Sequence, residues 1–90
     1  LIIKVWNESK IIALIYATKL STTGIQVEYA VILDEKMRGK GVYTEIISHL
    51  NKQYEIVSDE DSNNSAKEIY KKLGADYQRG RYVLKRGTVK

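Results

Sequence analysis

The run Arg38-Gly39-Lys40-Gly41 constrains this chain more than any other stretch. An apolar, strand-like segment ends a few residues before it, and a helical pattern opens directly after it. A strand, a glycine-rich turn and a helix N-terminus together make a phosphate cradle, because unpaired amide N–H groups and the positive end of the helix dipole face one point. Glycine lets the backbone approach an anion closely, and Arg38 and Lys40 add formal positive charge. The plainer alternative is a tight strand-to-helix connection that uses glycine only for backbone freedom. A dinucleotide fingerprint does not fit, since no third glycine follows at the required spacing. A P-loop does not fit either, since the Gly-Lys-Ser/Thr ending is missing.

The flanking pattern is that of a mixed sheet. Residues 1–6 and 10–18 are rich in β-branched residues and are separated by Asn7-Glu8-Ser9, which predicts a hairpin. After the turn Ser21-Thr22-Thr23-Gly24, residues 25–33 predict a third strand, with Ile25, Val27, Tyr29, Val31 and Leu33 on one face. Its end is apolar on both faces, which predicts a central strand covered on both sides. From about residue 39 to 52, Val42, Tyr43, Ile46, Ile47 and Leu50 recur at helical spacing. Residues 54–58 predict a short strand. A second helix carries Ala66, Ile69, Tyr70 and Leu73 on one stripe. Ser65 with Glu68 gives it a capping box, Lys71 and Lys72 suit its negative end, and Gly74 ends it. Residues 75–86 predict a final strand or a tight hairpin around Gly80. The order β-β-β-α-β-α-β gives an α/β fold with two crossover helices, and residues 1–90 form a single domain.

Composition excludes several chemistries. The 90 residues contain no cysteine and one histidine, His49, so disulfides, thiol nucleophiles and His clusters are ruled out. No apolar run approaches the ~20 residues of a membrane span, and no signal-peptide pattern opens the chain, which begins at Leu1. We expect a cytoplasmic protein that does not engage membranes. The net charge of +4 is local: Arg79, Arg81, Lys85, Arg86 and Lys90 carry the excess, and the remainder holds ten basic and eleven acidic residues. Such a segment suits a solvated edge strand guarded by cations. It could also contact nucleic acid, but no nucleic-acid motif accompanies it, and that reading ranks last.

Two separated motifs in order bring a resemblance. Leu33-Asp34-Glu35-Lys36-Met37-Arg38-Gly39-Lys40-Gly41-Val42-Tyr43 is similar to the strand-to-helix pattern V-x-P-x-Y-R-G-K-G-I-G of the GNAT superfamily of acyl-CoA-dependent N-acyltransferases. Asn63, Ala66, Ile69, Tyr70, Lys72, Leu73, Gly74 and Ala75 resemble that family's later pattern N-x-x-A-x-x-L-Y-x-K-L-G-F. The likeness covers residues 25–75 and extends to the terminal strands by topology alone.

The resemblance implies acetyl-CoA as cosubstrate and transfer of its acetyl group to a primary amine by direct attack. Arg38, Gly39, Lys40, Gly41, Val42, Tyr43 and Thr44 would surround the pyrophosphate. The backbone of Val31, Ile32 and Leu33 would pair with the pantetheine arm as an added strand, and the Leu33 amide would polarise the thioester carbonyl. Asn63 would contact pantetheine, and Tyr70 would protonate the departing thiolate. Glu28 is the best candidate for the base that takes the amine proton, provided a β-bulge turns it toward the cofactor. No metal is implied. Such chemistry needs orientation and oxyanion stabilisation rather than a nucleophile, and the chain carries no obvious triad.

The sequence departs from the family at three points. Tyr43 stands where Gly or Ala is usual, and a side chain of that size must point away from the pyrophosphate or obstruct it; Ala75 replaces a Phe; and the chain begins at the first hairpin, without the preceding strand and two helices. Either this is a minimal member with an open acceptor face, or the chain is a fragment, or a partner chain supplies the missing wall; an open face would favour a protein lysine or N-terminus over an enclosed small molecule. A homodimer would be compatible with an exposed sheet edge. The competing reading is a catalytically inactive module of the same fold that binds CoA or a protein partner.

Overall fold

The computed structural model describes residues 1–59 and 64–89, and residues 64–66 only as helical backbone. Strands β1 (Ile2–Asn7), β2 (Lys10–Ser21) and β3 (Gly24–Ile32) form an antiparallel meander. Both connections are two-residue loops, closed by the pairs Asn7↔Lys10 and Ser21↔Gly24. A 3-10 turn (Glu35–Met37) and the glycine run lead into helix α1 (Val42–Asn51). Strand β4 (Glu55–Asp59) then lies parallel to β3. Helix α2 (Asn64–Leu73) follows, and strands β5 (Asp76–Gln78) and β6 (Arg81–Leu84) close the chain. The sheet order is β1-β2-β3-β4-β6-β5. The C-terminal segment is therefore the hairpin around Gly80, whose φ is +79°.

The core lies on one face of this sheet. Ile15, Ala17, Ile25 and Val27 of β2 and β3 meet Ile47 of α1, Ile56 of β4, Tyr70 of α2, and Tyr82 and Leu84 of β6. Ile46, Leu50 and Leu73 pack against that cluster, as the helical spacing predicts. Gly74 ends α2 with φ +94°. The Ala75 N–H donates to the Tyr70 carbonyl at 3.0 Å, the 6→1 bond of a Schellman end. The side chain of Ser65 lies outside the described residues, so its capping box does too.

Two expectations for β3 need correction. The pairing with β2 slips between Tyr16↔Tyr29 and Ala17↔Val27, so Glu28 is the extra residue of a β-bulge. The bulge reverses the faces beyond it. Tyr29 and Leu33, grouped by alternation with Ile25 and Val27, are 61% and 47% exposed, and Ala30 packs on the core instead. Nor is the end of β3 covered on both sides. Its pairing with β4 runs only from Gly24↔Glu55 to Val27↔Ser58, and beyond that point, among the described residues, β3 keeps β2 as a partner on one edge while its other edge pairs with no strand. Helix α1 starts with its first apolar residue, Val42, later than the expected start near residue 39. Gly39 and Gly41 hold φ of +75° and +79°, outside the helical region.

Candidate active site

The divergence of β3 from β4 opens a cleft beneath the N-terminus of α1. Its cavity of about 490 Å³ is lined by Val27 to Ile32 of β3, by Arg38, Gly39, Gly41, Val42, Tyr43 and Thr44 of the turn and α1, and by Ser58 and Ile69. An extended backbone edge forms one wall and a helix N-terminus forms another. The structure thus brings most of the sequence-predicted residues to one place. Lys40 stands exposed on the turn, outside this wall. Asn63 lies outside the described residues.

The polarity of the open edge follows from the hydrogen bonds around it. The Leu33 N–H donates to the Ile12 carbonyl at 2.7 Å, across to β2. That amide is engaged, and Leu33 does not line the cavity. The oxyanion role expected of Leu33 is therefore corrected. Backbone groups alternate sides along a strand, so Val31 also faces β2, while Ala30 and Ile32 face the cleft. The Ile32 carbonyl accepts from Arg38 Nε at 3.0 Å, as that alternation requires. This contact fastens the glycine turn to the strand edge and leaves the guanidinium beside the cleft. Asp34 anchors the other side of the turn. Its Oδ1 accepts the Lys36 N–H at 3.0 Å and its Oδ2 lies 3.5 Å from Lys10 Nζ. The backbone hydrogen bond, helped by Lys10, holds the carboxyl below its ordinary pKa.

The cradle has the features an anion needs. Gly41 occupies the N-cap of α1 and provides no side-chain cap. The first-turn amides of Val42, Tyr43 and Thr44 have no intrahelical acceptor. A Cβ built on Gly39 or Gly41 meets nothing within 4 Å, so space over the turn is free, while the positive φ keeps both positions suited to glycine.

A hydroxyl cluster closes the floor of the cleft. Tyr70 is fully buried, stacked on Tyr82 and edge-on to Tyr43, with ring centroids 6.4 Å away in both cases. Its hydroxyl lies 3.2 Å from that of Tyr43 and also bonds the Ser58 side chain. Tyr43 therefore turns inward against the core and leaves the glycine turn clear, which resolves the obstruction its size suggested. Ser58, 2% exposed, escaped sequence reasoning, because a serine at the end of a short strand carries no distinguishing signal. Glu28 lines the cleft where the strands part, and its Oε1 accepts from Thr18 Oγ1 at 3.1 Å. Among the described residues no cluster of His, Cys, Asp and Glu could hold a metal.

Burial, with the Tyr43 contact adding to it, pushes the Tyr70 phenol well above its ordinary pKa, and burial raises Tyr43 as well. The sign of the linkage is definite. Below the unfolded value of about 10 both states hold these protons, and above it the unfolded chain releases protons that the folded chain keeps. Stability is therefore expected to fall as pH rises past about 10. In a spectrophotometric titration the Tyr43 and Tyr70 phenolates should form only as the circular dichroism of the fold is lost. Complete ionisation of all seven tyrosines in a natively folded chain would contradict this burial.

No family model matches the sequence, and no curated protein matches it. The structure is similar to the crystal structure of Ard1 from Thermoplasma volcanium, with a TM-score of 0.57 and 18% sequence identity. The match covers 84% of this chain and 62% of Ard1, so the chain spans less than two thirds of that protein's length. At that identity the likeness shows the fold alone, a mixed sheet with two helices like that of Ard1. His49, exposed on α1, borders a separate hollow between α1 and β1, away from the cleft between β3 and β4. Among the described residues no helix is long and apolar enough to cross a membrane.

Proposed function

We propose that this chain is an N-acetyltransferase that binds acetyl-CoA in the cleft between β3 and β4 and transfers the acetyl group to a primary amine. The observation that carries this reading is the coincidence of an unpaired strand edge with an uncapped, glycine-bounded helix N-terminus at one cavity. Few ligands need both. A pyrophosphate suits the amides of Gly41 to Thr44, with Arg38 beside them. An amide-bearing arm suits the Ala30 edge groups and the Ile32 N–H, the Ile32 carbonyl being taken by Arg38, in place of the Val31 and Leu33 groups that face β2. The Ard1-like fold supports the same assignment.

The chain's own groups then divide the work. The Ala30 N–H is the edge donor nearest the point of divergence, and it polarises the thioester oxygen. Glu28, at the bulge, accepts the amine proton directly or through water. The hydroxyl cluster on the floor supplies a proton to the leaving sulfur. The cleft is open on the Tyr29 side, and this favours an amine presented on a protein, either a lysine or an N-terminus. A CoA-binding module without turnover is the second reading, and the full burial of Tyr70 favours it.

The test is incubation with acetyl-CoA and a pool of synthetic peptides carrying a free α-amine and one lysine, and in parallel with free polyamines, followed by mass spectrometry. Acetylated peptides that accumulate with enzyme concentration are expected. Acetyl-CoA binding with no acetylated peptide, and with acetylation only of free polyamines, would overturn the protein-acceptor assignment.

A further inference from the structure

We propose that Tyr43, and not Tyr70, protonates the departing CoA thiolate, and that Tyr70 is a positioning residue acting through it. This rests on the acetyltransferase reading above. Among the described residues that form the cleft wall, Tyr43 is present and Tyr70 is absent. Tyr70 has no exposed surface, and its hydroxyl is met by Tyr43 at 3.2 Å. A sulfur lying in the cleft therefore reaches Tyr43 first. Tyr70 is in turn held on three sides, by the ring of Tyr82, the edge-on ring of Tyr43 and the Ser58 hydroxyl. Such a group is suited to fixing its neighbour and stabilising charge on it.

The step balances as follows. The amine adds to the thioester carbonyl, and its nitrogen loses a proton to Glu28 or water. As the tetrahedral intermediate collapses, the C–S bond breaks and its electron pair goes to sulfur. Sulfur takes the proton of the Tyr43 hydroxyl. The Tyr43 phenolate accepts a hydrogen bond from the Tyr70 O–H, and it regains a proton from water when CoA leaves. The buried Tyr70 phenol does not ionise.

The test compares wild type with Tyr43→Phe, Tyr70→Phe and the double variant, using acetyl-CoA and the same peptide pool and reading kcat and KM separately. Both substitutions keep the rings, and melting curves report whether each variant folds. Tyr43→Phe is expected to lower kcat at least about a hundredfold, the low end of general-acid contributions, and to leave the KM for acetyl-CoA within about twofold. Tyr70→Phe should lower kcat less, and the double variant should be no slower than Tyr43→Phe alone, as for two residues acting in series. A Tyr70→Phe loss equal to or larger than that of Tyr43→Phe would overturn the assignment. So would additive losses in the double variant, or a Tyr43→Phe enzyme of normal kcat. Wild type that binds acetyl-CoA without any turnover would overturn this proposal and the transferase reading together, leaving the cofactor site standing. Wild type that does not bind acetyl-CoA would overturn the site as well.

Discussion

Gly41→Asp is expected to weaken acetyl-CoA binding at least about a hundredfold in calorimetry, which is about 2.7 kcal/mol. Gly41 caps α1 with φ +79°, and the space where its Cβ would lie is empty of protein atoms. That empty space is where the cosubstrate's phosphates would rest. Aspartate there places a carboxylate against two anionic groups, beside amides whose dipole would otherwise attract them. The substitution also has a folding cost, because a β-carbon at positive φ is strained by roughly 1–2 kcal/mol. Aspartate tolerates that region better than most residues, so the variant should remain folded with a lowered melting temperature. Gly41→Ala separates the two effects, because it carries comparable strain without the charge. It should lose much less affinity than Gly41→Asp. Equal binding by wild type and Gly41→Asp would remove the cradle from the account.

Asn51→Ala is expected to be the most destabilising single substitution in the described structure, costing about 3–5 kcal/mol. Asn51 closes α1 and has no exposed surface. Its Nδ2 donates to the carbonyls of Tyr54, Leu84 and Lys85 at 3.0–3.2 Å, and its Oδ1 accepts the Val89 N–H at 3.0 Å. Its own backbone carbonyl accepts from Gly87 at 2.8 Å. One amide side chain therefore ties the end of α1, the start of β4 and the end of β6 together. Truncation leaves several backbone groups at a buried position without partners, each costing about 1–3 kcal/mol if it stays dry. For a domain of this size the total stability is of order 5–13 kcal/mol, so the loss is a large share of it. Urea denaturation should show a lowered midpoint with an unchanged slope. A shift worth less than about 1 kcal/mol would mean that water replaces the lost contacts.

What the sequence reveals here and what it hides have separate physical origins. The helices were legible because a 3.6-residue stripe needs only local residues to be read, and Ile47, Ile69, Tyr70 and Leu73 lie inward as that period requires. The turn was legible because glycines at positive φ between a strand and a helix have few other uses. The direction of each backbone group on β3 was not legible. It depends on a one-residue bulge at Glu28, set by pairing with β2, and alternation read across that bulge assigns every later residue to the wrong face. The Leu33 role came from the family pattern, which does not say toward which neighbouring strand that N–H points; here it points to Ile12 of β2. Tyr43 looked like an obstruction because its identity says nothing of its rotamer. Its inward turn is fixed by the partner hydroxyl 27 positions away. Asn51 drew no notice at all, because four of its five partners lie more than thirty residues along the chain.

The most direct test of the central claim is an amide-resolved NMR titration of the wild-type chain with acetyl-CoA. The account predicts saturable shifts concentrated on the amides of Ala30, Ile32, Gly39, Gly41, Val42, Tyr43 and Thr44, with Val31 and Leu33 moving less because their N–H groups face β2. Shifts confined to the basic segment from Arg79 onward, or no shifts in a folded chain, would contradict it.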